Sequence, residues 1–152
     1  IDVVGRPWVD QELMCAAALQ GNVVCMNVQN GRLVWNAKVD AVTGPVADGR
    51  LVYEVDDASR IHAFNRQNGR EAWVNESFLY RSASAPIRVG TSLAFGDYEG
   101  NITFLDPATG TPVARTKLSG AVTTPAAQYG YGAVFQTVEG DVAYVVEGAD
   151  SE

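Results

Sequence analysis

A chain of 152 residues can bury one sizeable core, and its balance of 47% hydrophobic to 19% charged residues is that of an ordinary folded domain. The net charge of −7, without any cluster of lysine and arginine, excludes a nucleic-acid surface. There is no apolar run of about 20 residues, so no membrane-spanning helix is expected.

Taken from the N-terminus, the sequence repeats itself. The stretch from Gly21 to Trp35 alternates turn, strand, turn and strand, and Ser59 to Trp73 follows the same template. Gly100 to Gly110 is a third copy, and Gly140 to Val146 opens a fourth. Pro7, Pro45, Pro86 and Pro125 keep the same step, each at the start of a strand, where a missing N–H costs least. Two markers with one period predict an all-β propeller of four-stranded antiparallel blades. The expected blades cover residues 3–41, 42–79, 80–121 and 122–146, with a tail over 147–152. In the second blade the strands are expected at 44–47, 51–55, 61–65 and 71–75. Runs such as Val23-Val24-Cys25-Met26 are apolar on both faces, as in sheets stacked on both sides.

Trp35 and Trp73 each follow a turn glycine by four residues and are expected to dock on the neighbouring blade as structural anchors; Ala114 stands at the third position. Cys15 and Cys25 flank Gln20-Gly21. A two-residue hairpin there would set Cys15 opposite Met26 and turn the thiols to opposite sides of the sheet, so two free, buried thiols are expected. The fourth blade stops after its third strand, which makes fifteen strands and a ring that the chain does not close. Together with a start at Ile1, this reads as a processed product or fragment; were these residues the whole molecule, two copies would be expected to pair around a two-fold axis.

Little here reads as chemistry. His62 is the only histidine, within a strand and without a nucleophile elbow, and is expected to be a structural or surface residue. No set of residues has metal-ligand spacing. Asp56, Asp57, Asp97, Glu99, Asp106, Glu139, Asp141, Asn65, Asn68 and Asn101 fall at hairpin tips in step with the repeat and read as solvated turn formers. Two stretches read as connections between blades with binding potential: Asp2 to Arg6, and Phe78 to Ala85, where apolar Phe78, Leu79 and Tyr80 precede Arg81. For the latter, packing between blades is the competing reading.

The template Gly-x-Val-x-Ala-Leu-Asp-x-x-Thr-Gly-x-x-x-Trp resembles that of propellers of the quinoprotein alcohol dehydrogenase type. Within them the chain resembles the C-terminal half of the BamB family, most specifically at Gly96-Asp-Tyr-Glu-Gly100, at Arg81 with Ser84-Ala-Pro86, and at Thr123-Thr-Pro125 with Asp141-Val-Ala-Tyr144. The resemblance runs from about Asp2 to Val146. It implies half of an eight-bladed ring and a non-enzymatic scaffold without cofactor. It also implies a place at the periplasmic face of the outer membrane of a Gram-negative bacterium, within the machinery that assembles β-barrel proteins. The implied partner is the periplasmic part of BamA, and the implied membrane anchor is an N-terminal lipid carried outside this chain. Asp2 inherits the family's acidic contact to BamA, Val4 stands at its second acidic position, and Arg81 is a further candidate contact. The alternative is a fragment of a quinone-dependent dehydrogenase.

Overall fold

The computed structural model describes residues 3–18 and 21–148, among which only strands and turns occur. Four antiparallel sheets follow one another along the chain. Sheet 1 contains β1 (Val3–Val9), β2 (Leu13–Ala18), β3 (Gly21–Asn27) and β4 (Leu33–Val39). Sheet 2 contains β5 (Val46–Ala47), β6 (Leu51–Val55), β7 (Ile61–Asn65) and β8 (Glu71–Asn75). Sheet 3 contains β9 (Ile87–Val89), β10 (Ser92–Gly96), β11 (Asn101–Leu105) and β12 (Pro112–Lys117), and sheet 4 contains β13 (Ala127–Tyr129), β14 (Gly132–Gln136) and β15 (Val142–Val145). Within each sheet every strand pairs with its predecessor, the meander of a propeller blade. The inner strands β1, β5, β9 and β13 line a shared concave cleft.

Three hydrophobic clusters form the core, one at each junction between consecutive sheets. The middle strands are apolar on both sides because both sides are covered; all five residues of β10 and all five of β11 are buried. Sheet 4 has a neighbour on one side only, and Tyr129, Val142 and Tyr144 are exposed.

Trp35 and Trp73 dock as expected, and the way they do so explains the turn glycines. The Trp35 Nε1–H donates to the Arg66 carbonyl in sheet 2 (2.7 Å), and the Trp73 Nε1–H donates to the Pro107 carbonyl in sheet 3 (3.0 Å). Each indole covers the turn glycine of the next sheet: a Cβ on Gly69 would lie 2.7 Å from the Trp35 ring, and one on Gly110 would lie 2.5 Å from Trp73. In all three complete sheets the ladder slips by one residue just before the docking position, between Met26↔Leu33 and Cys25↔Trp35, between Phe64↔Glu71 and Ala63↔Trp73, and between Leu105↔Pro112 and Phe104↔Ala114. Such bulges re-aim the side chain that follows. Sheets 1 and 2 set a large ring opposite Cys25 or Ala63; sheet 3 reverses the sizes, with Ala114 opposite Phe104.

The cysteines depart from expectation. Cys15 and Cys25 are directly opposite each other, with Cα atoms 4.2 Å apart, and form a disulfide. The pairs Ala17↔Val23, Ala16↔Val24 and Cys15↔Cys25 centre the β2–β3 register on residue 20 rather than between residues 20 and 21. That one-residue difference brings both sulfurs to the same side of the sheet. Burial of both residues is as expected.

The N-terminal stretch also differs. Residues 3–6 are part of β1, not a connection: Val3 and Val4 pair with Ala18 and Ala17 before the ladder breaks as far as Trp8. Pro7 sits in that break, where no partner needs its N–H. The inner strand of sheet 2 is shorter than expected, Val46–Ala47 rather than 44–47.

Candidate partner-binding face

Because the strands of each sheet alternate in direction, the connections between sheets and the hairpins between second and third strands emerge at one end. Main-chain hydrogen bonds join the two kinds of loop. Asp57 N–H donates to the Asp40 carbonyl (3.0 Å), Tyr98 N–H to Arg81 (3.1 Å) and Val138 N–H to Ala121 (2.9 Å). The result is one continuous face.

Charge is divided unevenly between the two ends. The segments 40–45, 56–60, 76–86, 97–100, 118–126 and 137–141 carry eight carboxylates and two guanidinium groups. The opposite segments 10–12, 28–32, 48–50, 66–70, 90–91, 106–111, 130–131 and 146–148 carry five carboxylates and four guanidinium groups. The connection face therefore holds most of the net charge and attracts cationic surfaces.

Two aspartates expected to be solvated turn formers are instead buried. Asp56 Oδ1 accepts from the N–H groups of Ala58 (3.0 Å) and Arg60 (2.8 Å), and Asp97 Oδ1 accepts from Glu99 (2.9 Å) and Asn101 (3.0 Å). Each is 2% exposed, so the turn-forming role holds but solvation does not. Thr137 Oγ1 accepts from Asp141 N–H (3.1 Å) in the same place in sheet 4. Asn101, also expected to be solvated, is buried and donates to Asp97. The signal in the sequence was the four-residue spacing Asp56…Arg60, Asp97…Asn101 and Thr137…Asp141. Burial opposes ionisation of both aspartates. For Asp97 the hydrogen bonds of Asn101 and Arg81 outweigh it, and for Asp56 those of His62 and Arg60 do, so both carboxyls titrate below the usual aspartate range.

Arg81 is engaged within its own sheet: its Nε–H donates to Asp97 Oδ2 (2.9 Å) and its Nη2 reaches Glu99. His62 lies between carboxylates, with Nδ1 3.0 Å from Glu71 Oε2 and Nε2 3.0 Å from Asp56 Oδ2. This chain of side chains ends on the Arg60 guanidinium rather than on a serine or cysteine. Asp2 lies outside the described residues. Val4 is half-buried and packs against the first core cluster. Among the described residues no group of three or more His, Cys, Asp or Glu side chains is placed to hold a metal ion.

The Phe78–Arg81 loop divides between core and surface. Phe78 is buried, its ring edge-on to Phe95 with centroids 4.8 Å apart. Leu79 and Tyr80 remain exposed.

Glu54 was not singled out by the sequence. It is fully buried on β6; Oε1 accepts from Thr43 Oγ1 (2.6 Å) and Val55 N–H (2.9 Å), while Oε2 has no hydrogen-bond partner among the described residues. Burial pushes its carboxyl up to about 8 against the pull of those two donors, so it is protonated at neutral pH.

Residues 1–75 match a family model described as "Outer membrane protein assembly factor BamB". The chain is 35% identical to the outer membrane protein assembly factor BamB of Bordetella pertussis over 95% of its own length and 38% of that protein's. It superposes on the crystal structure of BamB from Moraxella catarrhalis with a TM-score of 0.87 at 24% identity, covering 92% of this chain and 42% of that one. The quinohemoprotein alcohol dehydrogenase of Comamonas testosteroni shares the fold alone, with a TM-score of 0.63 at 20% identity over 76% of this chain and 21% of that one. The chain thus spans well under half the length of the curated relatives it matches. Carrying their repeat and their sheet order along nearly its whole length, the chain belongs to the BamB family of β-propellers.

Proposed function

We propose that the chain is the C-terminal half of an eight-bladed propeller that works as a non-catalytic scaffold of the outer-membrane β-barrel assembly machinery, at the periplasmic face of the outer membrane. The observation that carries this reading is the 35% identity along 95% of the chain to a protein named for that assembly. The buried disulfide agrees with it, since disulfides persist in oxidising compartments such as the periplasm. In the full-length protein the remaining blades cover the exposed Tyr129, Val142 and Tyr144 of sheet 4.

The periplasmic domains of BamA dock on the acidic connection face. Asp2 supplies a direct carboxylate contact, and Arg81, oriented by Asp97 and Glu99, is the further contact residue. The test is capture of the full-length protein by immobilised BamA periplasmic domains. Wild type is expected to bind, and Asp2→Arg to bind at least about tenfold more weakly, the scale of a lost interfacial charge contact. Failure of the wild type to bind overturns the scaffold reading; equal binding by Asp2→Arg overturns the assigned contact.

A further inference from the structure

The Cys15–Cys25 bond faces sheet 2. Cys15 stands opposite Cys25, and Cys25 opposite Trp35, so the three side chains share one side of sheet 1. Trp35 marks that side, because its Nε1–H reaches the Arg66 carbonyl of sheet 2. Val52 and Phe64 of sheet 2 belong to the same core cluster as both cysteines. Neither cysteine keeps any exposed surface.

What brings the sulfurs together is more local than what covers them. The cysteines are 10 residues apart, on two strands joined by a single hairpin. The Trp35–Arg66 bond that seats sheet 1 on sheet 2 spans 31 residues. Hairpins close in about 1–10 μs, and contacts between distant segments form later. Sheet 1 thus passes through a stage in which Cys15 and Cys25 face each other on an uncovered side. Once sheet 2 closes, both sulfurs are sealed in an apolar cluster, where cysteines are inert towards exchange.

We infer that Cys15 and Cys25 are a covalent modification site, the substrate of a protein disulfide donor that acts before sheet 2 closes over the sulfurs. The thiolate of one cysteine attacks the donor's disulfide; a mixed disulfide forms, and the donor's other sulfur leaves as a thiolate. The second cysteine's thiolate then attacks the chain's sulfur in the mixed bond, Cys15–Cys25 forms, and the donor's remaining sulfur is released. Two electrons pass to the donor, which departs as a dithiol. The two protons lost by the chain's thiols balance those that the donor's sulfurs take up. This chemistry is independent of the BamA contact, and either can fail alone.

The test compares the wild type with Phe64→Asp, which puts a charge into the first core cluster and keeps sheet 2 from closing. Both proteins are reduced in urea, freed of reductant and diluted to refold, and then receive oxidised protein disulfide isomerase. Free thiols are alkylated at intervals, and mass counts the Cys15–Cys25 bond. Phe64→Asp is expected to gain the bond at least about tenfold faster than the wild type, because a closed junction reacts only through its rare openings. Equal rates, with the reduced wild type folded by its tryptophan emission, would overturn the order. A reduced wild type that folds only after the donor has acted would support it, since the bond then precedes docking. A rate in Phe64→Asp that the donor does not raise would overturn the donor.

Discussion

Gly31, Gly69 and Gly110 occupy the same turn position in sheets 1, 2 and 3, with φ of 67°, 71° and 73°. Alanine at any of them meets the same backbone penalty, about 1–2 kcal/mol for a left-handed residue with a Cβ. What differs is the neighbour. A Cβ on Gly31 has no atom within 4 Å, whereas on Gly69 and Gly110 it would intrude into the Trp35 and Trp73 rings. Moving an indole adds overpacking strain of about 1–3 kcal/mol. It also strains a hydrogen bond worth about 1 kcal/mol, Nε1–H to Arg66 or to Pro107. Gly31→Ala should therefore cost about 1–2 kcal/mol and Gly69→Ala or Gly110→Ala roughly 3–5 kcal/mol. At about 3 °C per kcal/mol for a domain of this size, melting points should fall by about 3–6 °C and about 9–15 °C. Urea unfolding followed by tryptophan fluorescence measures all three. Equal losses at the three glycines would refute the argument that the docked rings, and not only the turn geometry, demand glycine.

Two further outcomes are expected. Joining Cys15 to Cys25 closes a short loop, and Cys15→Ala with Cys25→Ala should lose about 2–3 kcal/mol by chain entropy; alkylation of either thiol without reductant, detected by mass, would contradict the bond. Glu54 holds its proton in the folded state up to about pH 8 but loses it near 4.5 when unfolded, so its contribution is complete below about 4.5 and is lost as pH rises through about 8. Glu54→Gln should flatten the fall in urea midpoint between pH 5 and 8, and parallel curves for the two proteins would count against a buried neutral acid.

The repeat made the strands legible: the last three strands of sheet 2 fall where expected, since turn glycines and apolar runs fix their ends. The tryptophans were legible for the same reason. The disulfide was not, because cross-strand pairing depends on whether the hairpin closes about a residue or between two, and a single residue reverses the outcome. Asp56 and Asp97 look like surface turn residues because a turn-forming aspartate reads the same whether its hairpin is covered or not; their four-residue spacing to Arg60 and Asn101 marks the turn, not its burial. Phe78 and Tyr80 are adjacent in character and opposite in fate. A bend of three residues sends one ring inward and the other out.

The docking of each indole on the following sheet gives the chain a direction. Trp35 bonds to a carbonyl 31 residues later and Trp73 to one 34 residues later. A nascent chain emerging N-terminus first thus leaves each sheet's outermost ring without a seat until the next sheet has emerged. Ala114 ends the series. Sheet 3 has no ring to wait with, and only its apolar face, which packs on Ala133 and Phe135, waits for sheet 4.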